Sequence, residues 1–162
     1  MGERIRVVRA VLDTNIFLRS LIREGNISDK IIGHWKDDDF LLMTSKDILK
    51  EAEKVLKRPW LVEKYGYELE QVDRLVELIS QKAIFVEPAF SLELCRDPND
   101  DKFVDCSILG RVQFLVSEDN DILDDENLKK HLLEYGIEIQ NALGFYQKLR
   151  IILTPFDPLP EQ

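Results

Sequence analysis

Val7-Val8-Arg9-Ala10-Val11-Leu12-Asp13-Thr14-Asn15-Ile16-Phe17-Leu18-Arg19-Ser20-Leu21-Ile22 is the stretch on which the reading of the fold turns. Residues 7–12 are rich in branched apolar side chains, and a run of that length reads as a buried strand. It stops at an acid, a hydroxyl and an amide, Asp13-Thr14-Asn15, and residues 16–22 then take helical spacing. A strand that ends on polar groups and passes at once into a helix is the layout of an open α/β sheet. Ligands in such sheets sit beyond the carboxyl ends of the strands.

The same alternation continues outward. Glu24-Gly25-Asn26 breaks the first helix, and Ser28 reads as the cap of the next, to about Trp35. Asp37-Asp38-Asp39 precedes a strand and reads as a solvated loop. Residues 40–44 form the second strand. Ser45 caps a helix over 47–56 whose apolar side is Ile48, Leu49, Ala52, Val55 and Leu56, with Glu51 in its first two turns. Arg58-Pro59 ends that helix and residues 59–66 read as a connector. Residues 68–82 are a helix with a core stripe of Leu69, Val72, Leu75, Val76 and Ile79, and 83–86 a third strand ended by Pro88.

Next comes Cys95-Arg96-Asp97-Pro98-Asn99-Asp100-Asp101-Lys102-Phe103-Val104-Asp105. Pro98 sets a turn, Asn99 or Asp100 suits an N-cap, and a helix starts near Asp101. Residues 112–116 are the fourth strand, closing on Ser117-Glu118-Asp119-Asn120-Asp121. A helix over 124–135 ends at Gly136. Residues 137–139 make a short last strand, and Asn141 caps a helix to about Arg150. The Pro-rich residues 154–162 form an extended tail. Strands alternating with helices predict an α/β fold with a mainly parallel sheet of about five strands, in one domain over residues 1–153.

Composition bounds the function. The chain has 162 residues, 44% hydrophobic and 33% charged, which suits a soluble globular domain. Its formal net charge of -9 argues against holding nucleic acid by bulk positive charge. It leaves room for an enzyme that meets phosphate through bound cations, since clustered carboxylates are then the ligands. Cys95 and Cys106 fit a reduced compartment, and with His34 and His131 they make no zinc spacing. No signal-peptide pattern or long apolar run is present, so a cytoplasmic protein without membrane attachment is expected.

The acids fall at matching places. Asp13 and Asp119 follow separate strands, Glu51 opens a helix behind another, and Asp101 opens the helix that leads into the Asp119 strand. In a parallel sheet these positions share one edge. Carboxylates gathered there repel unless a cation is present, and Mg²⁺ or Mn²⁺ suits oxygen ligands. Such ions activate water and stabilise a leaving oxygen, so phosphodiester hydrolysis is the matching reaction. Cys106 reads as a small core residue, and His34 and His131 as surface or boundary residues. Lys46, Lys50, Lys54, Lys57 and Arg58 give one helix a basic face; that face reads first as solvated, with the path of an RNA backbone as the sharper reading. Arg19 and Arg23 are weaker candidates for the same role.

A family resemblance adds to this. Residues 11–16, Val-Leu-Asp-Thr-Asn-Ile, resemble the opening motif of PIN-domain nucleases. Residues 44–51 resemble their second motif, with its acid at Glu51. Residues 97–103 resemble the third motif of a branch described as toxin components of toxin–antitoxin systems, with Asp101 as the matching aspartate. Residues 115–123 resemble the fourth, with Asp119 as its acid and Asp121 a frequent second one; 152–155 are similar to that branch's ending. Ser117 stands where threonine is common and Glu118 where glycine is common, and Asp97, Asp100 and Asp105 leave alternatives within the third motif. The resemblance implies a three-layer α/β/α fold and a Mg²⁺- or Mn²⁺-dependent endoribonuclease. It implies Asp13, Glu51, Asp101 and Asp119 as catalytic metal-holding acids, with Asp121 peripheral. Thr14, Asn15 and Ser117 would orient carboxylates or water, and Lys46, Lys50, Lys54 and Arg19 are candidates to contact RNA. An antitoxin partner and a homodimer are further implications.

Two other readings compete. A haloacid-dehalogenase-type phosphatase also opens strand-Asp, but it needs a second aspartate two positions on, where this chain has Asn15. A non-catalytic metal- or RNA-binding scaffold is the other, and the presence of all four acids argues against it.

Overall fold

The computed structural model describes residues 7–87 and 101–155, with Asp101 placed by its backbone alone. The expected turn and caps at Asp97, Pro98, Asn99 and Asp100, and most of the expected tail, lie outside these residues. Five strands, β1 (Arg9–Leu12), β2 (Leu41–Thr44), β3 (Ile84–Phe85), β4 (Phe114–Val116) and β5 (Glu138–Gln140), form one sheet in the order β3-β2-β1-β4-β5. Every neighbouring pair is parallel, as the strand–helix alternation predicts. The winding runs outward from β1 through β2 to β3, then restarts on the other side at β4. The switch point therefore lies between β1 and β4, at their carboxyl ends.

The helices are α1 (Thr14–Ile22), α2 (Ile27–Lys36), α3 (Lys46–Leu56), α4 (Pro59–Tyr65), α5 (Leu69–Lys82), α6 (Asp101–Leu109), α7 (Asn120–Leu123), α8 (Glu126–Glu134) and α9 (Ala142–Leu153). They cover both faces, and the strand alternation divides the core accordingly. Ala10, Leu12, Leu42, Phe114 and Val116 face a cluster with Ile16, Phe17, Trp35, Leu56, Leu61, Val72, Phe145 and Leu149. Val11, Met43 and Leu115 face the opposite cluster with Phe103, Val104, Cys106, Ile122, Leu128 and Leu132. Phe145 joins layers by edge-on contacts with Phe40 and Phe114, at centroid distances of 5.3 and 5.2 Å. Each such side chain taken fully out of water contributes about 1.5–3 kcal/mol.

Local chemistry sets the boundaries. The Ser45 hydroxyl accepts the Ile48 N–H at 3.2 Å and caps α3 as expected. Glu68 and Gln71 form a reciprocal capping box on α5. Ser28 is not the cap of α2: Asn26 is, accepting the Asp29 N–H at 2.9 Å, while Ser28 is buried within the helix. The asparagine side chain also donates to the Arg19 carbonyl at 2.7 Å, which ties the two helices together. Residues 59–66 are a helix rather than a connector. Pro59 opens it and Gly66 closes it at φ 73, a conformation that strains residues with a Cβ. Residues 120–134 form two helices, α7 and α8, capped by Asp119 and Asp125, where one from 124 was expected.

One close approach fixes α6. A Cβ on Gly110 would stand 2.8 Å from the Cys106 carbonyl oxygen and 3.2 Å from Met43 Cβ, so glycine lets the end of α6 close onto β2. Cys106 is a fully buried core residue, its thiol pushed up to about 12 by burial and then by the nearby Asp105 charge. Among the described residues no helix is long and apolar enough to cross a membrane.

Candidate active site

The site grows out of the switch point. The Asp13 N–H bonds the Val116 carbonyl at 3.0 Å, so the last residue of the β1 ladder brings Asp13 against the end of β4. Asp13 is 4% exposed and is also the N-cap of α1, its Oδ1 accepting the Asn15 N–H at 2.9 Å. Its Oδ2 accepts a hydrogen bond from the Ser117 hydroxyl, across the two strand ends. Ser117 Oγ in turn accepts the Asp119 N–H at 3.0 Å. One fully buried hydroxyl thus holds two candidate acids in register. Asp119 caps α7, taking the Asp121 N–H at 2.9 Å, and Asp121 stands exposed in the first turn of that helix.

Asp13, Thr14, Asn15, Glu51, Val55, Phe103 and Asp119 line one cavity of about 170 Å³. The sheet topology therefore brings together Asp13, Glu51 and Asp119, from three elements far apart in sequence. Thr14 Oγ1 is buried and accepts or donates no hydrogen bond with a described residue, leaving an oxygen in the wall available to a ligand. The Asp13 carboxyl is pushed up to about 6. Burial is the main cause and the Asp119 charge adds to it, against the opposing hydrogen bonds from Ser117, Asn15 and Ile16.

Glu51 meets a residue that the sequence pattern did not single out. Lys102 Nζ lies 2.5 Å from Glu51 Oε2 and 5.8 Å from the Phe103 ring centroid. Nothing in the spacing of residues 51 and 102 announces this pair; only the packing of α3 beside α6 creates it. Among the described residues no three acidic or histidine side chains converge on one point at ion-binding distance. Glu51 is engaged by Lys102, and the Asp101 side chain lies outside the described residues. The polar side chains that line the cavity offer oxygens, from three carboxylates, the Thr14 hydroxyl and the Asn15 amide, which is the set a hard divalent ion takes. Asp105 is buried one helical turn beyond Asp101 on α6.

The flanking candidates separate. Glu118 turns away from the acids and accepts the Ala142 N–H at 2.8 Å, fastening the start of α9 to the end of β4. Lys46 pairs with Glu87 at 3.1 Å and, with Lys50, lines a different cavity between α3 and α5. Lys57 pairs with Glu53 and Asp73. Lys54 is exposed three residues beyond Glu51, on neighbouring helix surface. Arg19 and Arg23 line a larger cavity that shares Asn15 with the acidic one.

Residues 9–121 match the PIN domain family, and the chain belongs to it. The PIN domain is a nuclease domain, in keeping with an acidic cavity at the carboxyl edge of a parallel sheet. The chain is also similar to the uncharacterized protein MJ1680 of Methanocaldococcus jannaschii, 26% identical over 138 residues that cover 85% of this chain and 87% of that protein. No solved structure matches the chain.

Proposed function

We propose that the protein is a divalent-metal-dependent endoribonuclease. The observation that carries this reading is the shared cavity of Asp13, Glu51 and Asp119, in which the Asp13 carboxyl is already strained by burial and by its acidic neighbour. A bound Mg²⁺ or Mn²⁺ would supply Lewis-acid activation of water and relief of charge on the leaving oxygen. Asp13 and Asp119 would hold it, joined by Glu51 once released from Lys102 and by Asp101, with Asp121 at the periphery. Ser117 keeps Asp13 and Asp119 aligned by donating to one and accepting from the other. Thr14 and Asn15 line the approach to Asp13 and would orient the attacking water.

The likeness of residues 97–103 and 152–155 to the toxin branch extends the proposal to a toxin restrained by a cognate antitoxin. Growth arrest on expression of wild type, absent with Asp13→Asn, tests that extension. The enzymatic reading is tested by melting the purified protein in chelator and then in millimolar Mn²⁺ or Mg²⁺, followed by an RNA cleavage assay. An ion at ~100 times its dissociation constant adds roughly 2.7 kcal/mol to stability. Stabilisation and cleavage in wild type, both lost in Asp13→Asn, are expected. Absence of both in wild type would leave the non-catalytic scaffold as the better reading.

A further inference from the structure

A cavity larger than the acidic one lies beside it. A groove of about 690 Å³ runs between α1, the start of α2, the end of α4 and the start of α9, and meets the acidic cavity at Asn15. Asn15 and Arg19 stand four residues apart on one face of α1, in a row that starts beside Asp13; Arg23 follows as the extended residue that closes the helix, and it lines the same groove. At 1.5 Å per residue Arg19 lies roughly 6 Å along the helix from Asn15, with Arg23 beyond it. Both arginines are exposed, and neither pairs with a described acid. Lys46, Lys57 and Lys102, by contrast, are neutralised by carboxylates, while Lys50 and Lys54 share with the arginines the lack of a described acidic partner. The one acid in the groove wall, Glu118, is committed to the Ala142 N–H. The rest of the lining includes apolar and aromatic groups, Leu18 and Ile22 of α1 itself, Leu143 of α9 and the half-buried Tyr65 of α4. The Lys64 ammonium lies 5.2 Å from the Tyr65 ring centroid and adds a cation at that side.

We propose that this groove is the path of single-stranded RNA, with Arg19 and Arg23 holding successive phosphates on one side of the acidic cavity and Tyr65 receiving an unstacked base. The inference rests on the nuclease reading and adds to it which groove and which residues of this chain carry the strand, and the direction in which it leaves the site. Unpaired guanidinium groups give the backbone its counter-charge, and an apolar aromatic wall suits a base face that a duplex would keep stacked. The alternative basic face, Lys46 and Lys50, lines a groove that shares no residue with the acids.

The test is fluorescence anisotropy of a short labelled single-stranded RNA in chelator, over a salt series, with the duplex of the same sequence alongside. Wild type is expected to favour the single strand. Arg19→Gln/Arg23→Gln is expected to weaken binding and to reduce the slope of log K against log salt by about 1.4, at ~0.7 per phosphate contact. Tyr65→Leu is expected to weaken binding about tenfold without changing that slope. Melting curves of each variant establish that it is folded. If wild type binds and cleaves RNA but the arginine variant keeps its affinity and slope, or Lys46→Gln/Lys50→Gln loses them instead, the groove is not the RNA path and the nuclease reading stands. Preference for duplex, or an arginine effect confined to self-association, also overturns it. If wild type neither binds nor cleaves RNA with metal restored, both readings fall.

Discussion

Lys102 holds Glu51: the ammonium is 2.5 Å from the carboxylate, both side chains are partly shielded, and Glu51 is one of three acids in the same cavity wall. The protein thus carries its own cation beside a site suited to a divalent one. Lys102→Met frees Glu51 and removes a competing positive charge. The Mn²⁺ concentration giving half-maximal thermal stabilisation is expected to fall about fivefold, the equivalent of ~1 kcal/mol for a partly exposed pair. An unchanged or raised midpoint would mean that Lys102 does not compete for Glu51.

The Asp13 carboxyl gives stability a distinctive pH dependence. It titrates near 3.8 when unfolded and at about 6 in the fold, so between those values the folded state holds the extra proton. Stability contributed by the protonated form is present below the lower value and is lost as pH rises through the upper one. The loss is roughly 3 kcal/mol at 1.36 kcal/mol per pH unit. Asn is as good an N-cap as Asp, so Asp13→Asn in chelator at pH 7 should melt higher by on the order of 5 °C, and its melting temperature should no longer decline from pH 4 to 6 on this account. Cleavage should be lost.

Ser117→Ala removes the hydroxyl that favours the ionised form of Asp13. The decline in melting temperature with pH should then continue to higher pH than in wild type. Ser117→Thr, which keeps the hydroxyl, should restore the wild-type profile. A pH scan of melting temperature in chelator distinguishes the three proteins.

Within the third acidic motif, Asp101→Asn is expected to abolish RNA cleavage while the protein remains folded, as are Asp13→Asn and Asp119→Asn. Cleavage assays on purified, melted-and-compared variants check this. Full activity in Asp101→Asn together with its loss in Asp105→Asn would move the functional acid one turn along α6.

Tyr67→Phe addresses the scaffold alone. The Tyr67 hydroxyl donates to the Leu56 carbonyl at 2.7 Å in the core, away from the acids. Denaturant melts should register a loss of about 1 kcal/mol, with metal stabilisation unchanged.

The sheet was legible because its inner strands are apolar runs cut off by polar residues, and each long helix carries an apolar stripe. Asp13 and Asp119 could be placed at one edge from strand endings alone, since a parallel sheet leaves no other arrangement. The short helix at Pro59–Tyr65 was not legible from periodicity because it buries only Leu61; Pro59 and Gly66 were the available signals. A single turn such as Asn120–Leu123 has no stripe to read. Asn26 and Ser28 are both good caps, and only the packing of Ser28 into the core decides between them. The Lys102–Glu51 pair and the grip of Glu118 on Ala142 join elements distant in sequence, and no local pattern encodes them.

Gly110 gives α6 the character of a lever. The helix spans nine residues, roughly 14 Å. Its far end is seated on Met43 by the missing Cβ, while its near end delivers Lys102 and Phe103 to the acids. An alanine at position 110 would collide with the Cys106 carbonyl as well as with Met43, so the seat of α6 on β2 must give way. The helix that carries Lys102 and Phe103 to the acidic cavity is thus anchored at its other end by the absence of a single methyl group.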